Sequence, residues 1–549
     1  MEQRDSHSAA DPRYVDAVVV GAGFSGLFAT WRLTQLGLTV RAFDLGSEIG
    51  GVWTWNRYPG AQTDSPHHTY RYTFDEQLLS DWRYTKKFPP GNEVRAYLNH
   101  VADRFGLRQY YTLNTRIESA TFDDASSLWE IRTDGGETVR TKYFVTGVGL
   151  VSEPVRPKYS GLDTFGGELY YTSNWPQTPV DLAGKRVALI GTGSSGTQIS
   201  GWVADNAAEM TVYLRTPNYV APTGNRDVTD DDQLELRDGF ERVRAQMRAH
   251  PASFPFALTQ GRLAVDATPE ELDAVFEEMW NRGGFSLLYE SFDDVSTDKR
   301  ANDLLGDFFR RKIAEIVTDP AKAAVLSPHY PYGSKRPPTG DAFYQSFNRE
   351  HVSLVDLRAT PITEVTKRGI VTGGELREFD VIILATGFDA STGAFTRMNI
   401  TGRDGVSLAE HWVNGPRTFA GVAVHGFPNM FMVAGPQSPF SNLPPGAELA
   451  GNWIGDCIEW MRENDVDRVE ATAAAEGDWV QLCNDIAAGS FALAAAVEAN
   501  SWFAGANIEG KPRAINIYFG GANAYADKLE GEASSNYESF EITSNVTLS

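Results

Sequence analysis

Two glycine-rich segments, Gly21-Ala22-Gly23-Phe24-Ser25-Gly26 and Gly191-Thr192-Gly193-Ser194-Ser195-Gly196, each follow a short apolar run. Residues of this type and spacing cradle phosphates. The first glycine makes a tight turn, the second admits the backbone to a pyrophosphate, and the third lets a helix pack close to the preceding strand. The amino end of that helix then meets the phosphate charge. A chain with two such cradles is equipped for two dinucleotides, which predicts a flavin that collects electrons and a nicotinamide that delivers them.

The flanks support both cradles. Ala17-Val18-Val19-Val20 is rich in β-branched residues, as a strand buried on both faces should be, and residues 27–33 read as helix. Residues 38–43 read as the next strand, ending at Asp44. That position lies near the roughly twenty-residue offset at which a carboxylate takes the ribose hydroxyls. The second cradle follows the strand-like run 185–190 and leads into Thr197-Gln198-Ile199-Ser200; its next strand, 210–214, ends in Arg215-Thr216. A carboxylate there would repel a 2′-phosphate, whereas a guanidinium grips it with two hydrogen bonds. The expected pair of cofactors is therefore FAD and NADPH.

Composition fits a large enzyme and disfavours other classes. The 549 residues, 42% hydrophobic, exceed one domain and suffice for more than one core. Lys plus Arg number 49 against 72 Asp plus Glu, a formal charge of −23, which makes nucleic acid and anionic membranes poor partners. The two cysteines, Cys457 and Cys483, are too far apart for a CxxC pair, so a dithiol route is unsupported and a reducing compartment fits. No run approaches the roughly eighteen apolar residues of a spanning helix, and Met1-Glu2-Gln3-Arg4-Asp5-Ser6 opens no apolar signal core. A cytoplasmic location is expected.

The expected fold class is α/β, with two Rossmann-like dinucleotide-binding domains, both discontinuous, and a helical insertion. Residues 1–150 form the first part of the FAD domain and 151–225 the first part of the NADPH domain, joined through the proline-bearing linker 152–157. Residues 226–327 form the insertion, opening with an acidic turn at 227–232 and continuing in amphipathic segments such as 234–249 and 269–282. The NADPH domain resumes at 328–384, where the strand 380–384 runs into Ala385-Thr386-Gly387, and the FAD domain at 385–525. Residues 526–549, acidic and Ser-rich, are expected to form a loosely ordered tail.

Phe165-Gly166-Gly167-Glu168-Leu169-Tyr170-Tyr171-Thr172-Ser173-Asn174-Trp175-Pro176 resembles the FxGxxxHxxxW[P/D] fingerprint of type I Baeyer–Villiger monooxygenases, with Tyr171 in the histidine place. The resemblance extends through Gly50-Gly51-Val52-Trp53-Thr54-Trp55-Asn56-Arg57-Tyr58-Pro59-Gly60-Ala61, Ser334-Lys335-Arg336-Pro337 and Ser501-Trp502-Phe503-Ala504. Pro439-Phe440-Ser441-Asn442-Leu443-Pro444-Pro445 is most similar to the cyclohexanone monooxygenase branch.

That resemblance implies a sequence of steps. NADPH reduces the flavin, O2 adds to form a C4a-peroxide, and its anion attacks a ketone to give an ester or lactone. It places Arg336 beside the peroxyanion, since a guanidinium keeps its charge in a dry pocket. Lys335 becomes a further contact to the 2′-phosphate, and Asp64 the carboxylate that pairs with Arg336. Trp502 matches an indole near the nicotinamide, Trp53 and Tyr70 match positions lining the flavin, and Phe440 and Leu443 belong to the substrate pocket. Gly51 and Gln198 fall within the cofactor motifs.

Other readings remain open at this level. The same flavin oxygen adduct, protonated, oxidises sulfur or nitrogen. A flavin-binding protein that has lost turnover, or an uncoupled NADPH oxidase, is the alternative outside productive oxygenation, and Tyr171 is the one feature in its favour. Tyr170 can share the role of Tyr171. His67-His68 invites a metal reading, but adjacent histidines with Asp64 as their only close acid are packing or surface residues, so no metal is expected. The identity of the ketone and the oligomeric state are not legible.

Overall fold

The computed structural model describes residues 13–255 and 261–544. The strand Tyr14–Val20 runs parallel to Val40–Phe43 on one side and to Thr138–Thr146 on the other, and its last four residues, Ala17 to Val20, are buried. Burial on both faces is what their apolar run requires. The sheet continues antiparallel through Leu128–Thr133 and Ile117–Asp123. Met430–Met432 joins it beside Thr138–Thr146, so chain from both ends of the sequence builds one sheet.

A second sheet has five strands, all parallel, in the order Val352–Asp356, Glu209–Leu214, Arg186–Ile190, Val381–Leu384, Glu168–Tyr171. Parallel neighbours need crossovers. The helices Phe24–Gln35 and Ser194–Asn206, one behind each cradle, supply them.

Between the two parts of the second sheet the chain is helical. Pro269–Arg282, Ser286–Tyr289 and Lys299–Ile316 surround a core that includes Phe276, Trp280, Phe308 and Phe309. Asp230–Asp238 and Phe240–Ala249 set Leu236 and Phe240 against Leu79, and Pro320–Leu326 packs into the core of the second sheet. The segment expected as one amphipathic run over 234–249 is two helices meeting at Gly239. The acidic stretch expected as a turn is instead largely the first turn of a helix. Thr229 and Asp232 form a reciprocal cap there, and Asp230 to Asp232 face the positive end of the helix dipole.

The largest departure is at the carboxyl end. Residues expected to trail loosely from 526 form the end of the helix Ala522–Ser534 and the strand Phe540–Ser544, which pairs antiparallel with Val466–Ala471. Tyr525, Ala526, Leu529, Tyr537 and Phe540 are buried in the core of the first nucleotide domain. Asp527 and Glu530 lie outside and pair with Arg248, whereas Glu532 is buried and accepts from the Ser539 N–H and hydroxyl at 2.8 Å each. Average composition hid the apolar stripe at 525, 526 and 529. The last five positions of the chain lie outside the described residues. No described helix is long and apolar enough to cross a membrane.

Candidate active site

In the first cradle Gly23 caps the helix Phe24–Gln35 with no side-chain cap, leaving first-turn N–H groups for a ligand. The turn is too tight for any side chain: a Cβ on Gly26 would lie 1.8 Å from the Gly21 carbonyl oxygen. Asp44 closes the cradle from the end of its strand, accepting from the Ala22 and Gly46 N–H groups at 2.6 Å each. Burial pushes its carboxyl up, with those two bonds opposing. The Ser25 hydroxyl is buried with no partner among the described residues, as a group awaiting a phosphate or ribose would be. Phe24 stands edge-on to Tyr70 at 5.3 Å, and Tyr70 to Trp53 at 5.9 Å. Gly51 meets the cradle from outside, its Cβ position only 2.7 Å from the Gly23 Cα. These residues fit FAD.

The second cradle repeats the pattern. Gly193 caps the helix Ser194–Asn206, again without a side-chain cap, and a Cβ added there would meet nothing within 4 Å, so the space is open for a ligand. Thr192 is fixed by Asn218, whose amide donates to its carbonyl at 2.7 Å. At the end of the next strand Arg215 reaches solvent, and Thr216 follows half-buried. Lys335 is pushed down to about 8, first by burial and then by the charge of Arg215. No carboxylate pairs with either cation among the described residues, although carboxylates outnumber cations in this chain. Two unneutralised cations side by side fit the 2′-phosphate of NADPH.

Gln198, expected among the cofactor contacts, also joins the two domains. Its carbonyl accepts from the Tyr58 hydroxyl at 2.8 Å and its amide donates to the Gln62 carbonyl at 3.0 Å. These two bonds join the helix of the second cradle to the segment that carries Asp64. Ser195, on the same helix, lies beside the Tyr58 phenol.

Asp64 and Arg336 form an ion pair at this junction, with the carboxylate mostly buried and the guanidinium one-third exposed. The Arg336 guanidinium also lies 5.5 Å above the ring of Phe285, from the helical insertion. Three phenols surround the pair. Tyr58 is pushed up to about 12, and Tyr70 and Tyr289 also rise, each chiefly by burial with Asp64 adding and Arg336 opposing. All three stay protonated; Tyr58 already spends its hydroxyl proton on Gln198, and Tyr70 and Tyr289 are neutral donors. Arg336 and Lys335 are neighbours in the chain but serve different partners, Asp64 and the Arg215 region.

Phe440 packs with Phe503 at 5.2 Å and Phe519 at 5.5 Å, and Phe503 touches Trp502 at 4.7 Å. The contacts of Trp502 run to Phe503 and Asn516 rather than to Arg336. Leu443 packs against the cluster holding Phe24, Trp53 and Tyr70, and so borders the first cradle. The neighbouring Asn442 amide donates to the Ala252 and Ser253 carbonyls at 3.0 Å each, docking this loop on the insertion. His67 and His68 are packing residues, rings edge-on at 4.9 Å and pushed down to about 2 and about 3, mainly by burial.

Sequence reasoning missed Tyr58, Gln62, Asn225, Phe285 and Tyr289. Asn225 donates to the Gln62 side chain and the Phe88 carbonyl at 3.0 Å each, locking the exit of the second domain onto the first. Tyr58 lies inside a quoted motif and was open to notice. Phe285 and Tyr289 come from a helix whose sequence reads only as apolar.

Comparison with known proteins agrees with this geometry. Residues 15–227 match the family model described as flavin-binding monooxygenase-like. The chain is 40% identical to the cyclohexanone 1,2-monooxygenase of an Acinetobacter species, covering 96% of each chain. It is 41% identical to a Baeyer–Villiger monooxygenase of Pseudooceanicola batsensis, covering 95% of each. A crystal structure of cyclohexanone monooxygenase from Rhodococcus sp. Phi1 bound to NADP+ superposes with a TM-score of 0.94 at 40% identity, over 97% of this chain and 100% of that one. With both cradles, the unneutralised cations and the Arg336–Asp64 pair in place, the chain belongs to the Baeyer–Villiger monooxygenases of the flavin-binding monooxygenase-like family.

Proposed function

We propose that this enzyme uses NADPH and O2 to insert one oxygen atom beside the carbonyl of a small hydrophobic ketone. The products are an ester or lactone, NADP+ and water. The observation that carries the reading is the Arg336–Asp64 ion pair, set where the two cradle domains meet and flanked by the aromatic ring of Phe285. FAD, held by the first cradle with Asp44 and Ser25, supplies the electron transfer and the activation of O2.

The chain's own groups do the rest. Arg336 presents a charge that no working pH removes, aimed where negative charge develops on oxygen. Asp64 fixes the direction of that charge, and its own burial strengthens the pairing. Tyr58, Tyr70 and Tyr289 add protonated hydroxyls around the pair without adding charge. Arg215 and Lys335 select NADPH by its 2′-phosphate. Trp53 and Tyr70 border the flavin, Trp502 the nicotinamide end, and Phe440 and Leu443 the apolar wall against which a ketone packs. A cytoplasmic setting suits the two buried free thiols, Cys457 and Cys483, whose ionisation burial opposes.

Offering a cyclic ketone and a thioether together, with product identification, tests the reading. Ester or lactone formed in step with NADPH consumption is expected. Sulfoxide with no ester, or peroxide equal to the NADPH consumed whatever ketone is added, would overturn it.

A further inference from the structure

A cavity of about 260 Å³ adjoins the ion pair, with Asp64 and Phe285 in its wall. Its wall is mostly apolar, with Pro66, Phe88 and Phe254, and also includes Lys87 and the mutually paired Arg282 and Glu290. Scaling from the cavity of about 150 Å³ that holds a benzene, this one holds on the order of ten non-hydrogen atoms.

Lys87 is the unusual member. Nearby charges are already matched: Arg226 by Asp232, Arg282 by Glu278 and Glu290, and Lys86 by Asp227. Lys87 has no carboxylate partner among the described residues, and its ammonium meets the ring of Phe88, 5.0 Å from the centroid. The residue is half-buried, and burial with the nearby charge of Arg226 pushes its ammonium down. Its backbone is tied at both ends, the N–H donating to the Arg226 carbonyl at 2.8 Å and the carbonyl accepting from the His67 N–H at 2.6 Å. A cation on a fixed backbone, with Glu290 nearby already paired to Arg282 and no ion-pair partner of its own among the described residues, at a mostly apolar cavity whose wall includes Asp64, is matched by an anion carried on an apolar tail.

We infer that the cavity between Asp64 and Lys87 is a subsite for the carboxylate arm of an oxo acid, with Lys87 as its counter-ion. This rests on the ketone-oxygenating reading and narrows it: the preferred substrates are ketones bearing a short carboxylate chain. Lys87 determines specificity and takes no part in oxygen transfer.

The test compares 3-(2-oxocyclohexyl)propanoate with its methyl ester on the FAD-loaded enzyme, reading kcat/KM from product formation and acid binding by titration calorimetry. Lys87→Gln should lower kcat/KM for the acid by about 10- to 100-fold, the loss of one charge-assisted contact, and leave the ester unchanged. Lys87→Arg should restore most of the difference. Equal losses for acid and ester, or an acid handled no better than the ester by the unsubstituted enzyme, would overturn the subsite. Acid binding that depends on Lys87 without turnover of either ketone would support the subsite while rejecting ketone oxygenation.

Discussion

The Arg156 guanidinium lies 4.3 Å over the ring of Tyr171, clasping the end of the strand Glu168–Tyr171 from the linker between the domains. The linker itself is pinned there, Val155 donating to the Gly387 carbonyl at 2.9 Å and accepting from the Thr386 hydroxyl at 2.9 Å. Tyr170 turns elsewhere, its ring 5.3 Å from Trp175 and its hydroxyl on Glu168. Tyr171 thus holds the fingerprint position through its ring. Tyr171→Phe should keep the ratio of ester formed to NADPH consumed within about twofold, because the cation–π contact survives. Tyr171→Ala should lower that ratio clearly, and equal ratios in the two variants would remove the ring from the coupling of the domains.

Lys335 gives the nicotinamide site a pH dependence. Its ammonium, pushed down to about 8, must be charged to hold the 2′-phosphate, so the Michaelis constant for NADPH should rise as pH passes from 7 to 9. Lys335→Ala should flatten that rise. Arg215→Ala should raise the Michaelis constant for NADPH far more than for NADH at every pH. An unchanged preference between the two cofactors in Arg215→Ala would take Arg215 out of the phosphate site, and an unchanged pH rise in Lys335→Ala would take out Lys335.

Glu448 ties stability to pH. It is buried in the helix Leu443–Glu463, accepts hydrogen bonds from the Thr73 N–H and hydroxyl, and is pushed up to about 7 chiefly by burial. A raised carboxyl binds its proton more tightly folded than unfolded. The stability this contributes is full below about pH 4.5 and is lost as pH climbs through about 7, a swing of about 3 kcal/mol. The Tm difference between the unsubstituted enzyme and Glu448→Gln should therefore shrink, or turn in favour of the variant, across that window. A constant difference would show that Glu448 ionises alike in both states.

What could be read from residues alone follows physical range. Both cradles, their strands and the reversal from Asp44 to Arg215 depend on spacing within one βαβ unit, where local rules suffice. The helix Pro269–Arg282 coincides with a segment marked by its amphipathic pattern, a period read within one element, and Thr268 and Pro269 fix its start. The pairing of Asp64 with Arg336 came from family resemblance, since no periodicity joins residues so distant. Phe285, Tyr289 and Lys87 reach the site through tertiary packing, which leaves no local signature. The carboxyl end was misread because its acidity was averaged over a segment whose apolar face is narrow. The bonds from Gln198 to Tyr58 and Gln62 join two domains across the sequence and are likewise invisible to local rules.

The central claim is that the Arg336 charge, oriented by Asp64, serves oxygen insertion and not NADPH oxidation. It is tested most directly by measuring, in one reaction, the NADPH consumed, peroxide released and ester formed by the FAD-loaded enzyme and by Arg336→Ala. The account predicts ester matching NADPH in the former, and in the variant continued NADPH oxidation with ester formation lowered by about 100- to 1,000-fold, as for loss of one preorganised charge contact. Ester made by Arg336→Ala at the unsubstituted rate would contradict it.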